Sequence, residues 1–360
     1  MRVLHVADRL SDRGGAWTWL LGVMDGLAAD HAQRLVVGED EGGSVVPCEV
    51  IVRPGLEART GVAVPLDDLA RAADVVHLHN VTNPDVLEWA ARLPRAVLTI
   101  QDHRFFCPAR GKWTLAGEPC RRPLTRELCA ECFVDPLHFA GVHALTERRL
   151  AAARRLRTTV LSRYMREELV AGGADAARVH VVPPFVYGLG VVDGREPAGP
   201  PCVLFAGRLT ETKGVWDAVE AWRRSGVELP LVVAGTGPLR HDLERAAAAG
   251  RGPALEVLGW VDRERLTGLY RRARALLLPS RWQEPFGIVG LEAMAFGVPV
   301  AAWESGGVAE WHPGPGLVRW GDVDGLARAL TQSVSRRVRL PPRFERDEAI
   351  GRLLALYARL

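Results

Sequence analysis

Two glutamates with seven residues between them, Glu284 and Glu292, stand in the stretch P-S-R-W-Q-E-P-F-G-I-V-G-L-E-A-M-A-F-G-V-P-V, from Pro279 to Val300. The first falls in a polar loop. The second falls about a turn and a half into a helix that Phe286-Gly287 opens and Gly297 ends. At such a helix start the N–H groups of Phe286, Gly287, Ile288 and Val289 have no intrahelical acceptor and form an anion site. Glycine at 287 lets a ligand come close to the backbone. A carboxylate beside a phosphate is repelled by it, so the chemistry open to the two acids is hydrogen bonding to hydroxyls, as on a sugar or a ribose. The bland alternative is a strand–loop–helix unit with two surface acids.

Other residues have matching chemistry. Arg208 and Lys213 follow the apolar run Cys202 to Ala206 in the pattern G-R-L-x3-K-G. Two fixed cations projecting from one loop suit an anionic ligand. Gly14-Gly15 lies between a strand, Val3 to Ala7, and a helix, about Ala16 to Ala29. It reads as a phosphate-binding turn or as a tight turn that needs glycine. Trp260-Val261 follows the strand Leu255 to Leu258, where Trp260 is placed to stack on a base or to pack on a rim. Gln101-Asp102-His103 follows the strand Ala96 to Ile100 at its carboxyl end, where ligands of open α/β sheets bind. Gln101 can donate a hydrogen bond to a sugar hydroxyl but cannot carry a proton, whereas His103 can. His79 and Asn80 end another buried strand.

The unit around P-F-G-I-V-G-L resembles the E-x7-E signature of retaining nucleotide-sugar glycosyltransferases, and the chain is most similar to glycosyltransferase family four (glycosyl transferases group 1). The resemblance implies the GT-B architecture: an α/β chain with two Rossmann-like domains facing each other across a cleft. It implies transfer of a sugar from a UDP- or GDP-sugar to an acceptor hydroxyl of a glycan, a lipid-linked substrate or a small molecule. In these terms Glu284 contacts the transferred sugar and Glu292 the ribose. Arg208 and Lys213, with Gly14 and Gly15, hold the diphosphate, while the amides of residues 286–289 hold the sugar and phosphates. Trp260 and Val261 hold the base. The family motif T-x-H-D aligns its Asp with Asp102 but places Gln101 where the usual His stands, so Gln101, Asp102 and His103 share the remaining catalytic candidacy. No side chain offers itself as a covalent nucleophile, and the implied mechanism is front-face attack with the leaving phosphate taking the acceptor proton.

Cys107, Cys120, Cys129 and Cys132 follow as C-P-x11-C-x8-C-x2-C. They either hold a structural zinc or stay as free thiols or disulfides. Four thiolates leave no open position, so no cofactor is required for catalysis. The basic residues of this segment, Arg104, Arg110, Lys112, Arg121, Arg122 and Arg126, either bind an acidic or lipid-linked acceptor or are solvated.

The elements that must position these residues are α/β throughout. A length of 360 residues, 48% hydrophobic and 25% charged, suits two soluble domains of ordinary size. The first is expected over 1–185, with the cysteine insertion at about 101–138. A Pro/Gly-rich linker spans 186–201, the donor-binding domain 202–340, and a tail over 341–360 crosses back to the first domain. A net charge of +3 argues for no nucleic-acid partner. No run approaches the roughly 20 apolar residues of a membrane span, which makes the cytoplasm the default, with peripheral contact at the inner membrane face through a basic helix, 143–157. Interleaved acids make solvated charge the better reading of that helix. Two rival functions remain: a scaffold with a dead donor site, and a nucleotide-sugar 2-epimerase.

Overall fold

The computed structural model describes residues 1–11, 14–42, 45–189, 199–250 and 254–360. Most of the expected linker, 190–198, lies outside the described residues. The chain divides into two compact units. Unit 1 comprises Met1–Leu115, Cys120–Tyr187 and Arg343–Leu360; unit 2 comprises Ala116–Pro119 and Gly188–Pro342.

In chain order unit 1 runs β1 (Arg2–Leu10), α1 (Gly15–Leu27), β2 (Ala32–Asp40), β3 (Glu49–Val52), α2 (Asp67–Arg71), β4 (Val75–His79), α3 (Pro84–Ala90), β5 (Ala96–Ile100), α4 (Arg126–Ala130), α5 (Pro136–Arg155), β6 (Arg157–Val160), α6 (Arg163–Ala171) and β7 (Val179–Val181). The strands form one parallel sheet in the order β3-β2-β1-β4-β5-β6-β7. β4 and β5 are buried along their whole length, because helices cover both faces of a parallel sheet. One face packs Leu4, Val6, Leu78, Leu98 and Ile100 against Leu87, Leu150 and Leu169. The other face is closed by α1 and by the last helix described, which supply Trp19, Val23 and Leu27, and Ile350, Leu353 and Tyr357.

Unit 2 runs β8 (Cys202–Ala206), α7 (Val215–Ser225), β9 (Leu231–Ala234), α8 (Arg240–Ala248), β10 (Leu255–Gly259), α9 (Arg263–Arg272), β11 (Ala273–Leu278), α10 (Ile288–Ala295), β12 (Val300–Trp303), β13 (Leu317–Val318) and α11 (Val323–Ser333). Its parallel sheet has the order β10-β9-β8-β11-β12-β13. The helix that follows, α12 (Arg346–Tyr357), belongs to unit 1. Each sheet reverses its winding once, between β1 and β4 and between β8 and β11, and the carboxyl ends of those strands make the ligand crevice of such sheets.

One element departs from the sequence expectation. The helix expected from 143 begins seven residues earlier, because Pro136 occupies its first turn and the Asp135 carboxylate accepts from the N–H groups of Leu137 and His138. It ends at Arg155, and Arg157 already belongs to β6. Its arginines are not all solvated: Arg149 is buried and donates to the carbonyls of Thr82 and Arg59, and Arg148 pairs with Asp85 and Glu88.

Candidate functional site

In unit 2 the loops after β8 and β11 are tied together by backbone hydrogen bonds. The Thr212 carbonyl accepts from the N–H groups of both Arg281 and Trp282, at 2.9 and 3.1 Å. Gly214 lies so close to this loop that a Cβ there would sit 1.8 Å from the Pro279 carbonyl oxygen. Lys213 is thereby delivered to Glu284: its Nζ lies 2.7 Å from Oε1, and the Ser280 hydroxyl donates to the same oxygen at 2.5 Å. The Lys213 ammonium also lies 4.3 Å from the centre of the Trp282 ring, with the Arg208 guanidinium 5.6 Å from it. Arg281 fixes the loop to α7 through two bonds to Asp217.

Glu284 is buried, and burial pushes its carboxyl pKa up. Lys213, Ser280 and Trp282 outweigh that and hold it below the usual carboxylate value. Lys213 is lowered, by burial first, with Glu284 opposing and Arg208 adding repulsion. The backbone of Glu284 is held by the turn after β12. Its carbonyl accepts from Gly307 N–H at 2.8 Å, and Ser305 Oγ accepts from its N–H at 3.3 Å. Gly306 has φ 53°, and a Cβ there would meet the Glu284 carbonyl oxygen at 2.3 Å, so the Gly306-Gly307 turn seats the acid as well as closing itself.

Glu292 lies in α10 and is also buried. Tyr270 donates to it at 2.8 Å and Arg263 approaches to 3.9 Å. Burial raises its pKa, with Arg263 and Tyr270 opposing. Gly287 caps α10, and the Phe286 carbonyl accepts from Trp311 Nε1, which fixes the start of the helix where Ile288 and Val289 make the first turn. Trp260 is exposed and Val261 half-buried at the carboxyl end of β10. Sequence reasoning missed Tyr270, Ser280 and Trp282 because each reads as an ordinary core or loop residue until the register of β8 and β11 is known.

In unit 1 the loop after β5 is organised by Asn80, which follows β4 with φ 54°. Its Oδ1 accepts from Gln101 N–H at 3.0 Å and its amide nitrogen donates to Asp102 at 3.1 Å. Asp102 is also bonded by the backbone and guanidinium of Arg104. Burial raises the Asp102 pKa, but Arg104 and Asn80 outweigh it and keep the group ionised. That leaves Asp102 bound to its own loop. Gln101 is buried, and both polar atoms of its amide lack a partner among the described residues. His103 is buried between Phe106 and Tyr164, with ring centroids at 5.4 and 6.2 Å. Gly14 and Gly15 are exposed at the start of α1.

His5, His77 and His79 form a buried cluster on one face of the sheet, the one group of three metal-binding types among the described residues with ligand atoms within 4.8 Å. Five of its six nitrogens have protein partners, and His79 Nδ1 has none among the described residues. Gln33 donates its amide N–H to the Met24 carbonyl, so its oxygen accepts from His5 Nε2, and His5 Nδ1 then accepts from His79 Nε2 at 2.9 Å. His77 bonds Tyr357 and Thr99, each at 2.6 Å. Burial lowers all three, His5 to about 4, so the cluster is neutral near pH 7 and belongs to the core of unit 1. His79 therefore points into the interior.

Comparison with known proteins gives a match over the unit 2 loops. Residues 192–313 match the family model described as Glycosyl transferases group 1. A D-inositol 3-phosphate glycosyltransferase of Xylanimonas cellulosilytica is 33% identical over 226 residues, 52% of this chain and 52% of the relative. The chain spans about half or less of the first curated relatives it matches. Sucrose-phosphate synthase of Thermosynechococcus elongatus has a similar structure, with TM-score 0.68, 18% identity, and 99% and 98% of the two chains covered. Alr3699/HepE of Anabaena, solved with UDP, gives TM-score 0.66 at 15% identity, covering 100% of both chains. The segment that matches the glycosyl transferases group 1 model, residues 192–313, lies in unit 2, and the two parallel-sheet, Rossmann-like units match GT-B glycosyltransferase structures.

Proposed function

We propose that the protein is a retaining glycosyltransferase that moves a sugar from a nucleotide-diphospho-sugar to an acceptor hydroxyl. The observation that carries this reading is the convergence of Arg208, Lys213 and Glu284 where the unit 2 sheet reverses, with a second buried acid, Glu292, in the helix that follows. Lys213, neutralised by Glu284 here, turns to the diphosphate when donor binds, and Glu284 is freed to accept from a sugar hydroxyl. Arg208, exposed at the same loop, meets the other phosphate charge. Glu292, with Tyr270 and Arg263 around it, takes the ribose hydroxyls. In unit 1, Gln101 carries a buried amide with no partner among the described residues, and Asp102 holds its loop. A UDP-sugar is the first donor to try, because a structural neighbour was solved with UDP-glucose. A glycan, lipid-linked or small-molecule acceptor, and a cytoplasmic placement with peripheral membrane contact, are part of the same reading. No helix among the described residues is long and apolar enough to cross a membrane.

The test is a panel of UDP-, GDP- and ADP-sugars with thermal-shift binding, followed by nucleotide release with candidate acceptors. One donor should stabilise the wild type and lose that effect in Glu292→Ala, and NMR of the product should show the donor's anomeric configuration kept. An inverted product would refute retention. Binding without turnover across acceptors would favour a dead donor site, and turnover without acceptor to a 2-epimer would favour the epimerase.

A further inference from the structure

Four of the six cysteines, Cys107, Cys120, Cys129 and Cys132, line a single cavity of about 30 Å³ in unit 1. That volume holds about one water or one ion. Phe106, Trp113, Leu124 and Leu128 wall it, and none of the four sulfurs is in a disulfide.

The four reach the cavity by two local devices. Cys129 lies in the last turn of α4, and Cys132 N–H donates to its carbonyl at 3.1 Å, so C-x2-C presents two sulfurs from one turn. Cys107 and Cys120 are held by Lys112 between them. Its N–H donates to Cys107 Sγ at 3.3 Å, and its carbonyl accepts from Cys120 N–H at 2.7 Å. Lys112 adopts φ 59°, uncommon for a residue with a side chain, and its buried ammonium bonds the Arg122 carbonyl at 2.6 Å and Glu168 at 2.9 Å.

Packing supplies an independent reason. α4 has five residues and buries none of them, so neither helix propensity nor a core fixes this segment. Elements with too little core are held by disulfides or metals.

We propose that these four cysteines form a structural tetrathiolate site for a divalent cation of the zinc class, clipping residues 107–132 together. No three of the sulfurs lie within the 4.8 Å of one another that the histidine nitrogens meet, so binding requires the side chains to close on the ion. Each thiol passes its proton to solvent as its sulfur–metal bond forms.

The test is metal analysis of protein purified without chelator, with zinc added and the excess removed. About one zinc per chain is expected. Cys48→Ser should keep it and Cys129→Ser/Cys132→Ser should lose it. Should the double variant fail to fold, Co²⁺ loading of the wild type decides: tetrahedral visible bands with thiolate charge-transfer absorption are expected. Metal-free protein after zinc loading, absent cobalt bands, metal retained by a folded double variant, or an intact mass showing disulfides among the four would overturn the proposal.

Discussion

Replacing Lys213 by Met removes the cation from a buried carboxylate. Glu284 is 3% exposed and its partner Nζ lies 2.7 Å away. At an effective dielectric constant of about 20 that separation gives a gross attraction of about 6 kcal/mol. Desolvation of both groups offsets much of it, and stranding one partner of a buried pair costs about 3–5 kcal/mol. Ser280 still donates to Glu284, which places the expected loss toward the lower end, about 3 kcal/mol. The loss should depend on pH. In the wild type the Glu284 pKa is lowered, so its contribution is present above the unfolded carboxylate value and disappears as pH falls through the folded one. In Lys213→Met, burial is left to raise that pKa, so the ionised acid destabilises as pH rises through the new value, and the deficit is greatest near about pH 8 and shrinks toward about pH 5. Denaturant unfolding of the wild type, Lys213→Met, Glu284→Gln and the double variant, followed through tryptophan fluorescence, measures the coupling. A single-variant loss below about 0.5 kcal/mol, or effects of the two changes that simply add, would refute a buried ion pair here.

Acid should weaken unit 1 early. The unfolded histidine titrates near about 6.5, whereas burial lowers His5 to about 4 and holds His77 and His79 well below the usual histidine value. Stability should fall by about 1.4 kcal/mol per pH unit for each of the three below about pH 6, which denaturant curves between about pH 7.5 and 4.5 would show. Tyr357→Phe removes the partner of His77 Nδ1 and should cost about 1–3 kcal/mol in the same assay. Gly306→Ala forces a methyl against the Glu284 carbonyl at a left-handed position and should cost about 1–3 kcal/mol and most of the donor turnover, while Gly268→Ala, with open space in α9, should be neutral or slightly stabilising.

How much of this was legible from residues alone follows from the physics of each element. β5 and β8 read at their observed bounds because a strand buried on both faces is a short apolar run ended by polar or glycine residues. The start of α5 was missed because Asp135-Pro136 is a local capping signal that hydrophobic periodicity does not register. Arg208, Lys213 and Glu284 stood out by spacing, but the meeting of residues 71 apart depends on β8 pairing with β11, which no local pattern encodes. The histidine cluster hid for the same reason. His77 and His79 share a face by alternation, yet His5 joins them only through the register that sets it against His77. Gln101 was visible as an oddity, and only the fold shows its amide buried and unpartnered.

Unit 1 is discontinuous in the chain, and this bears on how the protein is born. Residues 188–342 are synthesised between its last two pieces, Cys120–Tyr187 and Arg343–Leu360. Until α12 emerges, the faces of α1 and β4 that bear Trp19, Val23 and His77 have no cover, and the Tyr357 hydroxyl is not there to bond His77. A ribosome therefore carries a nascent chain in which the earlier-made unit waits for the later one to pass. A chain broken off anywhere within 188–342 exposes an apolar face that chaperones and proteases recognise. The order of completion reverses the order of synthesis.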